Sequence, residues 1–147
     1  IYLIPLEYNI TMDKLIKPTT YASILSITSM ANNKSDFFYY IRGINQYKKG
    51  NYYEAIDSFN KALKINPKYS NAYYHRGRSK LILGDNDGAI IDFDRAINFN
   101  PKFDYAYALR GLAKENTGNM KGACKDWQKA SDLNYKDATE WLRKQCR

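Results

Sequence analysis

Two cysteines, one histidine and three evenly spaced arginines are the residues of this chain with the most chemistry to offer. Cys124 and Cys146 could join as a disulfide or stay as two reduced thiols acting as small hydrophobes, and the elements that carry them decide between the two. His75 stands alone. One histidine makes neither a metal site nor a nucleophile triad, and no acid or nucleophile accompanies it in a motif. The glycines fall between apolar stretches and form no loop for cradling phosphate. The sequence therefore shows no catalytic constellation, no metal-ligand set and no cofactor motif, and it reads as a non-enzyme. Arg42, Arg76 and Arg110 are a different matter, because each precedes a glycine and they lie 34 residues apart.

That interval organises most of the chain. Residues 36–69, 70–103 and 104–137 superimpose as three copies. Each has an aromatic at its fourth place (Tyr39, Tyr73, Tyr107) and glycine at its eighth (Gly43, Gly77, Gly111) and fifteenth (Gly50, Gly84, Gly118). Alanine recurs at the twentieth place (Ala55, Ala89, Ala123) and the twenty-seventh (Ala62, Ala96, Ala130), with a large ring at the twenty-fourth (Phe59, Phe93, Trp127). Apolar residues at three-to-four spacing on both sides of the fifteenth-place glycine predict two amphipathic helices per copy. Gly50-Asn51, Gly84-Asp85 and Gly118-Asn119 read as a helix stop followed by a capping side chain. Asn66-Pro67 and Asn100-Pro101 end the second helix, since proline cannot continue the hydrogen-bond ladder. The third copy has Tyr135 in place of the proline.

A helical hairpin cannot bury its own apolar face, so the copies must stack. The small residues at places eight and twenty let the two helices approach, and the ring at twenty-four fills the space above them. Residues 138–147 carry Trp141 and Leu142 at helical spacing among charges, as a helix capping the last copy would. If that helix runs antiparallel beside the second helix of the third copy, Cys124 and Cys146 meet. The disulfide and the pair of thiols both remain open at this point.

Composition is that of an ordinary globular chain, with 44% hydrophobic and 26% charged residues among 147, and disorder or a membrane-spanning class fits it poorly. Fourteen tyrosines stand out, and tyrosine suits half-buried faces where the ring packs and the hydroxyl stays wet. The net charge of +8 raises a nucleic-acid reading, but lysines alternate with aspartates along the helices and no basic stripe forms. A nucleic-acid-associated protein is the alternative class, and an accessory subunit of an enzyme complex is another.

The three copies resemble tetratricopeptide repeats, a resemblance carried by the glycine, alanine and ring places over residues 36–137. It implies an all-α, right-handed solenoid of antiparallel helix hairpins whose partner is another protein or peptide, self-association included. It also implies a concave groove lined by the second, fifth, sixth, ninth and twelfth places. Those are Phe37, Tyr40, Ile41, Ile44 and Tyr47, then Asn71, Tyr74, His75, Arg78 and Leu81, then Tyr105, Ala108, Leu109, Leu112 and Glu115. Tyrosine and arginine dominate binding hot spots, which singles out Tyr40, Tyr74, Arg78 and Tyr105; the competing expectation is that these rings merely pack between helices. Family members that grip a terminal carboxylate carry Lys and Asn at places five and nine. Here those places hold Tyr40 and Ile44, so an extended or helical apolar segment is the expected ligand. The seventh-place arginines are expected to pair with aspartates of the second helices, such as Asp57, Asp92 or Asp126, and not to form a basic ligand row.

Residues 1–35 lie outside the repeat. From Met12 onward, Lys14 and Lys17 precede a mildly apolar stretch ending in Ser29 and Ala31, which resembles a secretory signal peptide cleaved after Ala31. That reading places the mature chain outside the cell or in the periplasm, where a disulfide persists. A misassigned start, a packed or disordered arm, an arm covering the groove and a cytoplasmic chain are the other readings.

Overall fold

The structure is a computed structural model, and it describes residues 35–146. Within them are seven helices and no strand: α1 (Asp36–Lys48), α2 (Tyr52–Ile65), α3 (Ser70–Ile82), α4 (Asn86–Phe99), α5 (Asp104–Asn116), α6 (Met120–Asp132) and α7 (Lys136–Gln145). Their boundaries follow local signals. Ser35 caps α1 by accepting from the Phe38 amide at 3.1 Å. Gly50, Gly84 and Gly118 take φ of 81°, 84° and 81° and turn the chain between the helices of each hairpin, a conformation that a side chain would strain. The expected caps after them form at Asp85 and Asn119, which accept from the Gly88 and Gly122 amides at 2.9 Å. Asn51 makes no such bond, a correction to the sequence reading.

The proline stops act as expected, with α2 and α4 ending just before Asn66 and Asn100. The third copy uses other chemistry. Asn134 takes φ of 72°, the left-handed conformation asparagine tolerates, and the Tyr135 amide donates back to the Ala130 carbonyl. Lacking the proline turn, the chain re-enters a helix at once, so α7 begins at Lys136 and not at the expected Ala138.

Each hairpin closes around one ring. Phe59, Phe93 and Trp127 are fully buried, flanked by buried alanines at places twenty and twenty-seven. The eighth-place glycines leave that room. A Cβ on Gly43 would lie 2.5 Å from the Phe59 ring and one on Gly77 2.9 Å from the Phe93 ring. In the third hairpin the indole Nε1 of Trp127 also donates to the Ala108 carbonyl at 3.2 Å. Consecutive hairpins stack through α2 on α3 and α4 on α5, while α1 touches α3 and α3 touches α5. The first helices thus line the inner side of the stack. At the C-terminal end α7 lies on α6, with Trp141 5.7 Å from Trp127, and a Cys124–Cys146 disulfide joins the two helices with Cα atoms 5.7 Å apart. The disulfide closes a span of 22 residues, which stabilises by about 3 kcal/mol. The signal-peptide reading of the N-terminal arm, with its cleavage after Ala31, lies outside the described residues.

Candidate binding groove

The inner face is built where the first helices of the three repeats meet. Tyr47, Arg78, Leu81, Ile82, Leu109 and Leu112, drawn from α1, α3 and α5, enclose an open cavity of about 250 Å³. Three successive first helices are needed to make it, so no single repeat contains it. Asn71 and Tyr105 are exposed, Tyr105 by 51%, whereas Phe37, 60% exposed, and Ile41 line a separate cavity on α1 with Phe38, Arg42 and Asn45. Tyr105 rests edge-on against Tyr135 at 5.0 Å, and Leu112 also lines a second small cavity with Glu115, Trp127, Trp141 and Gln145.

Other predicted contact residues lie deeper. Tyr74 is only 7% exposed, with its ring 4.7 Å from Phe103 and 6.1 Å from Phe93. It belongs to the core between the second and third repeats, because α3 is flanked on both sides by other repeats. Burial pushes its hydroxyl pKa up to about 12, a shift that the nearby Arg78 charge partly opposes. Tyr40 is half-buried against Tyr69, Phe59 and His75, and Ile44 packs into the core cluster around Phe59. Ala108 is buried as well.

His75 sits at the seam between the first two repeats. Its ring stacks on Phe59 at 6.0 Å and meets the edges of Tyr40, Tyr47 and Tyr74. Its Nδ1 is buried without a hydrogen-bond partner. Burial, and then the positive charge of Arg78, lower its pKa to about 4, so the ring is neutral at pH 7. Arg78 lies over Tyr47 at 4.8 Å and over Tyr74 at 5.5 Å.

Two of the three seventh-place arginines do what the sequence leads one to expect. Arg76 reaches Asp92 with two nitrogens and Asn60 of the preceding repeat with a third. Arg110 repeats this with Asp126 and Asp94. These are braces that tie each repeat to the one before, with Lys80 and Lys114 completing the charge around the buried aspartates at 2.9 and 2.7 Å. The lysines were missed, although their recurrence at the eleventh place was visible. Arg42 differs. The place equivalent to Asp92 holds Ser58, which donates to Gln46, while Asp57 is exposed and paired with Lys61. Asp57 is therefore not a partner of Arg42, being one helical step away from the inward-facing place.

No helix among the described residues is long and apolar enough to cross a membrane, and no cluster of three potential metal ligands occurs among them. The model of a TPR repeat matches residues 46–81 and that of a tetratricopeptide repeat matches residues 70–103. Among solved structures, the chain is 30% identical to MamA over 87% of its own length and 74% of that chain, with a TM-score of 0.68. It is 27% identical to the first TPR domain of Spaghetti, solved bound to an HSP90 peptide, with a TM-score of 0.73 over 77% of this chain and 91% of that one. The TPR domain of OM64 from Arabidopsis is likewise 27% identical, with a TM-score of 0.71 over 76% and 96%. No curated protein sequence matches the chain.

Proposed function

This chain belongs to the tetratricopeptide-repeat family, and on that premise we propose that it is a protein–protein interaction module whose inner face holds an extended or helical segment of another polypeptide. The observation that carries the reading is the cavity where α1, α3 and α5 meet, walled by Tyr47, Leu81, Leu109 and Leu112. An apolar concavity with few convergent polar groups suits the side chains of a peptide. A neighbour in fold is solved with a peptide bound, which supports a ligand of that kind. With Tyr40 and Ile44 at the places where carboxylate-gripping relatives carry Lys and Asn, the ligand is read as an internal segment and not a chain terminus.

With Phe37 in the separate cavity on α1, the proposed groove contacts are Tyr47, Asn71, Arg78, Tyr105, Leu109 and Leu112. Tyr40, Ile44 and His75 form its floor, and Tyr74 supports that floor from the core. Random 12-residue peptides displayed on phage and selected against the full chain test this. Leu112→Glu, within the cavity wall, is expected to weaken selected peptides at least about tenfold by burying an unpaired charge. Ile91→Glu, on α4 and 61% exposed, should leave them unchanged. Equal binding by both variants, each with an unaltered melting temperature, would remove the groove from consideration.

A further inference from the structure

Resting on the groove reading, the sharpest clue to the ligand is one arginine. Arg76 and Arg110 each satisfy a buried aspartate and a second acceptor from the preceding repeat. Arg78, two residues from Arg76, turns the other way. Its guanidinium lies over the rings of Tyr47 and Tyr74 and has no carboxylate within ion-pair distance among the described residues. It also lines the apolar cavity with Leu81, Ile82, Leu109 and Leu112. A cation held on a tyrosine shelf at the wall of an apolar pocket is partly desolvated without a counter-ion, which is the arrangement a carboxylate improves most. The shelf fixes the guanidinium in place, so little side-chain freedom is lost when an acid arrives.

We propose that the groove takes a segment bearing one acidic side chain next to a leucine- or phenylalanine-sized one: the acid pairs with Arg78, and the apolar group fills the cavity beside it. The charge on the far side limits the number of acids. Leu112 lines both this cavity and the neighbouring one that contains Glu115, and Glu115 has no ion pair among the described residues. A second acid placed beyond the apolar side chain would face Glu115 and be repelled, so an acidic run is disfavoured while a single acid is favoured.

The selected peptide pool tests this separately from the groove itself. Its members should be enriched in Asp or Glu beside a large apolar residue. A synthetic member followed by fluorescence anisotropy should bind about tenfold more weakly when its acid is changed to the amide, and by a similar factor to Arg78→Gln. Arg78→Lys keeps the charge but loses the stacked guanidinium plane, so its affinity should fall between that of the unaltered chain and that of Arg78→Gln. Selection repeated on Arg78→Glu should move the enrichment to Lys and Arg. Peptides that depend on Leu112 yet show no acidic enrichment, or bind Arg78→Gln as tightly as the unaltered chain, overturn the single-acid proposal and leave the groove intact. Peptides indifferent to Leu112→Glu, or a selection yielding no binder, overturn the groove reading and the proposal with it.

Discussion

The first repeat and the two that follow close around the same kind of ring but are braced differently. In the second and third, a fully or nearly buried aspartate gathers an arginine and a lysine, and the arginine reaches back to the repeat before. In the first, the same three places hold Arg42, Gln46 and Ser58, and a neutral hydroxyl-to-amide bond replaces the ion cluster. Phe59 is nonetheless as buried as Phe93. The comparison separates two jobs that the repeat performs together. Ring and small residues close a hairpin, while the charged trio ties one hairpin to its predecessor.

Removing the centre of a trio should break the comparison most severely. Asp92→Ala leaves Arg76 and Lys80 facing a site without a carboxylate and should destabilise by about 3–5 kcal/mol, whereas Ser58→Ala, losing one neutral bond, should lose about 1 kcal/mol. Urea unfolding of the two variants measures the difference. Equal losses would mean that the trio contributes no more than the neutral pair.

His75, on the seam between the neutrally braced repeat and its charged neighbour, sharpens the comparison through pH. Its folded pKa of about 4 lies below the unfolded value of 6.5, so the unfolded chain takes up the proton first. The associated stability is complete above pH 6.5 and is lost as pH falls through 4, a drop on the order of 2–3 kcal/mol. Carboxylates titrate in the same window, so the test is the difference between the parent and His75→Phe in urea midpoints at pH 7 and pH 4. The variant should lose less on acidification.

The smallest expected effect runs in the other direction. Gln46→Lys with Ser58→Asp installs the charged trio around Arg42, and because no preceding repeat supplies an acceptor among the described residues, the gain should be at most about 1 kcal/mol by thermal melting. A larger gain would show that the trio stabilises its own hairpin and not only the junction.

Much of this was legible in the residues. Period, hairpin turns, ring closure and the arginine–aspartate braces of repeats two and three follow from side-chain type at fixed spacing, because helix faces and caps are decided within a few residues of the chain. Tyr74 and Tyr105 show where that reading ends. Both were expected in the groove, yet they part: Tyr74 is buried in the core whereas Tyr105 stays half-exposed, since burial depends on which neighbouring repeat lies over each place. Arg76 and Arg78 diverge for the same reason: two residues apart, they face opposite sides of α3, one toward aspartates and the other toward tyrosines and an apolar cavity. The cysteine pairing, open in the sequence, was settled by α7 lying back along α6. The sequence by itself determined the hairpins, through local periodicity. Only the stacking of hairpins decided which rings are core, which arginines pair with aspartates and where the apolar cavity opens, because those depend on groups from three helices far apart in the chain.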